Sequence, residues 1–383
     1  MRRILFLLTI LFLAVSCEFD DKIKEQRSVI LVYAACHDNG LSSYTSRQLE
    51  EIQDGGTLPE SSDNKNIFLV YSHMPGSDPV LSRYSIDRNG NFVNSIIKTY
   101  PAGTVSLRTQ QINAVLNDAQ NAFPSKHVVL SMSTHGSSFL PATKSAQSLK
   151  AEIPMVESLG PDDNVEINID DFAKSLAFFH FDCIMMDCCY MAGVEPCYEL
   201  KNITDYIIGS TTEVMANGML ISSMVPHLLD KDHRETSLTE ACKAFMSRVR
   251  TDKAYSSSGL VSLIKTSQMP ALAETSKRIF SAHRTEISRI NPAKIQKYLG
   301  LTDYRCLYDL GDFVENISSE EEFSAFQTAL DRVVIFKDAT PQFLGHTVKK
   351  HSGLSVYLPE SRDANVDQYY RTTAWNMATG LVE

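Results

Sequence analysis

Two stretches of the chain end in residues that, brought together, support nucleophilic catalysis by a thiol. VVLSMSTHGSS (128–138) is an apolar, β-branched run delivering His135 and Gly136, and FDCIMMDCC (181–189) is another delivering Asp187, Cys188 and Cys189. A cysteine is mostly protonated at neutral pH, so an imidazole must take its proton and later return it to the leaving amine. A tetrahedral intermediate also needs donors for its oxyanion. The glycine after the histidine frees one backbone N–H for close approach, and the cysteine's own N–H is the natural second. If the two runs are neighbouring parallel strands, imidazole and thiol leave the sheet at one edge, where the functional groups of open α/β sheets collect.

The elements that must hold these ends are legible around them. Continuous apolar runs at SVILVYAAC (28–36), NIFLVYSHM (66–74), KHVVLSMST (126–134), FDCIMMDCC (181–189), TDYIIGST (204–211) and SGLSVYLP (352–359) read as strands buried on both faces. Apolar residues at three- and four-residue spacing predict helices over 42–53, 107–123 and 169–179. LSRYSIDRNGNFVNSIIKTY (81–100) carries an Asn89-Gly90 turn signal and reads as an antiparallel hairpin inserted in the fold. Strands alternating with helices predict a three-layer α/β/α sandwich on a mostly parallel sheet. Residues 28 to about 230 read as the sheet-bearing core, and the helix-rich stretch from about 219 to 383 as its completion within one domain, 28–383.

Residues 1–16, MRRILFLLTILFLAVS, place two arginines before an apolar stretch and small residues, the layout of a bacterial secretory signal too short to span a bilayer. Ala14, Val15, Ser16 and Cys17 resemble a lipobox, which makes Cys17 the lipidated mature N-terminus and 17–27 a charged tether. Its early acidic residues resemble the export signal of Bacteroidetes surface lipoproteins, so the expected location is the outer membrane, surface-exposed. Losing Arg2 and Arg3 leaves 34 basic residues against 46 acidic ones, a charge near −12 that argues against a nucleic-acid partner. Of the eight cysteines, seven remain once Cys17 is set aside, so at least one thiol is free. CxxC, HExxH and zinc-finger spacings are missing, which speaks against a structural metal.

The order and spacing of VVLSMSTHGSS and MMDCCYMAGVEPCYELK resemble the clostripain-like cysteine peptidases, similar in fold to caspases and gingipains. In that family an apolar strand ends in His-Gly, and a later one ends in Asp, a small residue, the nucleophilic Cys, an apolar residue and Met, with Glu a few positions on. Laid on Asp187, Cys188, Cys189, Tyr190, Met191 and Glu195, the motif implies Cys189 as nucleophile, His135 as its partner, and the N–H groups of Gly136 and Cys189 as oxyanion donors. Alternation agrees: on an extended strand 187 and 189 share a face and 188 lies on the other. ILVYAACHDNGLSSY and SGLSVYLP resemble the family's first and late strands.

The resemblance further implies an endopeptidase cleaving after Arg or Lys, with Asp187 lining the pocket for that residue; a strand-end aspartate capping backbone amides is the plain alternative. The loop GSTTEVMANGM departs from the family's usual acid-bearing stretch at Asn217, and Glu213 stands as the replacement carboxylate. Autoprocessing is implied in the loop 140–165, with Lys144 and Lys150 as candidate cleavage sites. Expected partners are protein or peptide substrates and, through the lipid alone, the membrane; a monomer is expected. No cofactor is required. Calcium, which clostripain itself uses, has candidates in Asp162 with Asp163 and Asp170 with Asp171, which helix capping explains equally.

Other histidines read as structural: His37 with Asp38 as a solvated loop pair, His73, His127 and His180 as packing residues beside strands. Two competing functions stand beside the peptidase. One is a catalytically silent surface-binding lipoprotein keeping the fold. The other is a serine hydrolase using Ser137 or Ser355, disfavoured because no GxSxG elbow occurs.

Overall fold

The computed structural model describes residues 24–37, 40–141, 159–162, 165–298, 307–358 and 364–383. Cys17, Lys144, Lys150 and Asp163 lie outside the described residues. Strands β1 (Ser28–Ala35), β2 (Asn66–His73), β3 (Val80–Ile86), β4 (Phe92–Thr99), β5 (His127–Ser133), β6 (Phe181–Asp187), β7 (Thr204–Gly209), β8 (Leu260–Lys265) and β9 (Val334–Ala339) form one nine-stranded sheet in the order β9-β8-β7-β6-β5-β1-β2-β3-β4. The central strands β7, β6, β5, β1 and β2 run parallel. Antiparallel pairs flank them, β2–β3–β4 on one side and β7–β8–β9 on the other.

Burial explains why the central strands are continuous apolar runs. Every position of β1 and of β6 is buried, because both faces of a parallel sheet are covered. Val29, Leu31 and Tyr33 of β1 pack into one core and Ile30 and Val32 into the other, as the two-residue side-chain period demands. The first core is closed by helices α2 (Thr109–Ala122) and α3 (Ile169–Leu176) through Ile112, Leu116 and Phe172. The second is closed by α1 (Ser42–Asp54) and by the long helix Arg234–Thr251, through Leu49, Ile52, Leu238 and Phe245. The result is the expected three-layer α/β sandwich. Burying each such side chain contributes roughly 1.5–3 kcal/mol.

Three details sharpen the expected layout. The expected hairpin forms: β3 and β4 pair antiparallel and extend the sheet beyond β2, with Gly90 at φ 82° in the turn. LVSLIK, in the stretch read as helix-rich, is β8; six residues, four of them apolar, between helices are too short to show their period. SGLSVYLP packs beside the large sheet rather than joining it. Its Ser355–Tyr357 pairs with Leu307–Asp309 in a separate two-stranded ladder.

Candidate active site

β5 and β6 are adjacent and parallel, with Ser133 opposite Asp187 in register. The residues after each strand therefore emerge at the same carboxyl edge. They also touch. A Cβ placed on Gly136 would lie 2.6 Å from the Cys189 carbonyl oxygen, 2.8 Å from Cys188 Cβ and 3.0 Å from the Cys189 nitrogen. Only glycine lets the His135–Gly136 backbone press this closely onto the backbone of the cysteine pair.

The two cysteines occupy different surroundings. Cys188 is buried in the core with its thiol donating to the Met132 carbonyl at 3.2 Å. Cys189 is half-buried, and the Val214 N–H donates to its sulfur at 3.3 Å. Burial pushes the Cys189 thiol up to about 12, with the Glu213 and Asp187 carboxylates adding to the rise and the Val214 N–H opposing it. The resting thiol is thus protonated, and a base must deprotonate it. Among the described residues, Cys183, Cys188, Cys189, Cys197 and Cys242 are free thiols.

Just past Cys189 the chain turns sharply: Tyr190 sits at φ 63°, a left-handed conformation costing about 1–3 kcal/mol for a residue of its kind. Its N–H donates to the Thr212 carbonyl at 2.8 Å and its hydroxyl to Glu213 Oε1 at 3.2 Å. These bonds tie the cysteine turn to the loop after β7, which also carries Val214. The strand geometry ends at Asp187, so alternation does not govern Cys189, which packs beside the core that holds Met186 and Cys188.

Asp187 lies beneath this loop, almost fully buried. The Gln48 side-chain amide of α1 donates to its Oδ2 at 2.8 Å, and the Met219 N–H to its Oδ1 at 2.7 Å. Burial pushes its carboxyl up against those bonds. Gly218 fits here because a Cβ would lie 2.1 Å from Gln48 Nε2 and 2.8 Å from Asp187 Oδ2. Glu213 is also buried.

Behind the turn at Cys189 and Tyr190, Glu195 is buried and accepts the Tyr357 N–H at 2.9 Å and the Tyr370 hydroxyl at 3.0 Å, both on Oε1. Burial pushes its carboxyl up to about 7. The Ser355 N–H donates to the Ala192 carbonyl at 2.9 Å, so SGLSVYLP buttresses the segment after Cys189.

Residues set aside in the sequence find partners in the structure. His37 and His73 stack with ring centroids 4.1 Å apart and both contact buried Asp162. Asp170 and Asp171 pair with Lys174 at 2.9 and 2.8 Å in α3. Among the described residues, no group of three or more His, Cys, Asp or Glu is arranged to hold a metal ion. His127 meets Asp182, exposed His180 meets Asp205, and among the described residues the Ser137 and Ser355 hydroxyls are buried with no hydrogen-bond partner, so no described base activates them. Two contributors were missed, the Val214 N–H and Gln48, because each acts through a tertiary contact that leaves no local signal in the sequence.

A central parallel sheet with His-Gly and Cys at adjacent strand ends defines a caspase-like α/β peptidase fold. The Clostripain family model matches residues 32–378, so the chain belongs to that family of cysteine proteases and is an enzyme hydrolysing peptide bonds. It is similar to an inactive zymogen C11 protease from Parabacteroides distasonis, at 25% identity and TM-score 0.79, over 93% of this chain and 98% of that one. It is likewise similar to a secreted C11 cysteine protease from Bacteroides thetaiotaomicron, solved in complex with an irreversible peptide inhibitor, at 26% identity and TM-score 0.76, over 92% and 98%. No curated protein matches the chain. Among the described residues, no helix is long and apolar enough to cross a membrane.

Proposed function

We propose that the protein is a secreted endopeptidase, lipid-anchored through Cys17, that cleaves after Arg or Lys with Cys189 as nucleophile and His135 as general base and acid. The observation carrying this reading is the packing of Gly136 onto the Cys189 backbone, which sets the imidazole-bearing and thiol-bearing strand ends side by side.

In this reading His135 takes the Cys189 proton, and the thiolate attacks the scissile carbonyl carbon to form a C–S bond. The N–H groups of Gly136 and Cys189 receive the oxyanion. Collapse breaks the C–N bond as the imidazolium protonates the departing amine. Water, deprotonated by His135, then hydrolyses the thioester and frees the acyl carboxylate and the thiol. Asp187 and Glu213, both near enough to raise the Cys189 thiol, supply negative charge for a basic substrate side chain. Activation by self-cleavage in the loop 140–165, at Lys144 or Lys150, is supported by the zymogen state of the Parabacteroides relative.

Fluorogenic peptides with Arg, Lys, Ala or Asp before the scissile bond test the reading, together with the intact mass of wild type and Cys189→Ala. Turnover of basic peptides lost in Cys189→Ala, with a processed wild type and an unprocessed variant, is expected. Equal hydrolysis by both proteins rejects the nucleophile, and a wild type that turns over no basic peptide rejects the specificity. A silent binding protein would also show no selective labelling of Cys189 by a thiol-directed peptide inhibitor.

A further inference from the structure

Asp162 has no exposed surface, and its carboxylate is shared by three separate parts of the chain. Oδ1 accepts the N–H of His37, just past β1, at 3.0 Å. Oδ2 accepts the N–H of Ser106, ahead of α2, at 2.8 Å and lies 3.3 Å from Nδ1 of His73, the last residue of β2. The cluster is itself braced: Tyr33 donates to the Ser106 carbonyl at 2.6 Å, Tyr71 to the Ser106 hydroxyl at 3.1 Å, and the His73 ring stacks on His37. Burial works against the charge, but the bonds from His73, Ser106 and His37 outweigh it and hold the carboxyl below the usual carboxylate range.

Asp162 closes the short strand Leu159–Asp162, whose other end lies on the catalytic histidine loop. The Gly160 N–H donates to the His135 carbonyl at 3.3 Å, and Leu159 bridges Gly136. A Cβ on Gly160 would meet the Val165 carbonyl oxygen at 2.9 Å, so this strand is packed from both sides. The chain thus runs from a charged anchor at the ends of β1 and β2 directly into the support of His135 and Gly136.

We propose that Asp162 is a positioning residue for the reaction: its carboxylate pins Leu159–Asp162 to the ends of β1 and β2, and that strand sets the backbone of His135 and Gly136 against Cys189. The proposal rests on the assignment of His135 and Cys189 above.

The test compares full-length wild type, Asp162→Asn, His73→Ala, His73→Asn and Cys189→Ala. Asparagine keeps an acceptor for His37 but turns an amide N–H toward the Ser106 N–H and His73. Asp162→Asn should lower kcat by about 10²-fold, the scale of a misplaced catalytic group, with KM changed far less. Alkylation of Cys189 by iodoacetamide should slow as well, since a displaced His135 no longer accepts the proton of a thiol that burial keeps protonated. His73→Asn, whose amide nitrogen replaces Nδ1, should recover most of the activity lost in His73→Ala. Wild-type kcat in the folded fraction of Asp162→Asn overturns the proposal, as does equal damage from His73→Asn and His73→Ala. Activity retained in Cys189→Ala instead removes the catalytic assignment beneath it.

Discussion

The Val214 N–H lies 3.3 Å from the Cys189 sulfur and donates to it. It offers the thiolate a stabilising donor, yet the adjacent residue, Glu213, is a buried carboxylate that pushes the thiol in the opposite direction. The Cys189 thiol is thus held between a donor and a carboxyl group from the same loop, and under the proposed specificity the cation of a basic substrate would tip that balance.

Charge removal at Glu213 should therefore separate reactivity from specificity. Glu213→Gln keeps an acceptor for the Tyr190 hydroxyl but removes the anion, so the Cys189 thiol should fall from about 12. Alkylation by iodoacetamide near pH 8 should speed up roughly 3–10-fold, the effect of half to one pKa unit, while kcat/KM for Arg and Lys peptides drops. A rate of alkylation unchanged or lowered would show that Glu213 does not act on the thiol.

Gly136→Ala drives a methyl group to within 2.6 Å of the Cys189 carbonyl oxygen, against rigid backbone. Overpacking of this kind costs about 1–3 kcal/mol, and displacement of the histidine loop should lower kcat/KM by about 10²-fold or more. Thermal melts and peptide hydrolysis measure the two; a variant with wild-type turnover would mean the contact has no catalytic weight.

Asp187 can be assigned by a ratio. If it receives the substrate cation, Asp187→Asn should lower kcat/KM for Arg and Lys peptides about 10–100-fold relative to Ala peptides, the worth of a hydrogen bond to a charged group. If Asp187 only caps Gln48 and the Met219 N–H, every substrate should suffer alike and the ratio should hold.

Glu195 gives the fold a pH dependence of defined sign. Its carboxyl is raised from 4.5 to about 7, so between those values the folded state binds more protons than the unfolded one. Stability contributed by the neutral acid is full below about 4.5 and is lost as pH rises to about 7, a change of about 3 kcal/mol at most. Urea melts across that range should show the decline in wild type and a flatter profile in Glu195→Gln; parallel profiles would exclude Glu195 as its source.

The sheet and the proposed reactive residues were legible for the same reason. Burial on both faces writes β1 and β6, and most of β2 and β5, as apolar-rich runs, and His135 and Cys189 follow two of them within two residues. Alternation stops at Asp187, because Tyr190 turns the chain out of strand geometry. Gln48 meets Asp187 across 139 residues, and Asp162 gathers His37, Ser106 and His73 from as far as 125 residues away. Such partners are chosen by packing and leave no local period, so His37 and His73 looked ordinary until their strands were placed side by side.

The direction of β1 has one more effect. The chain enters the sheet at Ser28 and reaches the catalytic edge only beyond Ala35, a rise of roughly 26 Å over eight residues at about 3.3 Å each. Ser28 and the edge carrying His135 and Cys189 thus lie at opposite ends of the parallel strands. Under the proposed anchoring through Cys17, that arrangement turns the His135 and Cys189 edge toward the surrounding medium, so the polypeptides within reach are those arriving from it rather than those lying flat on the membrane.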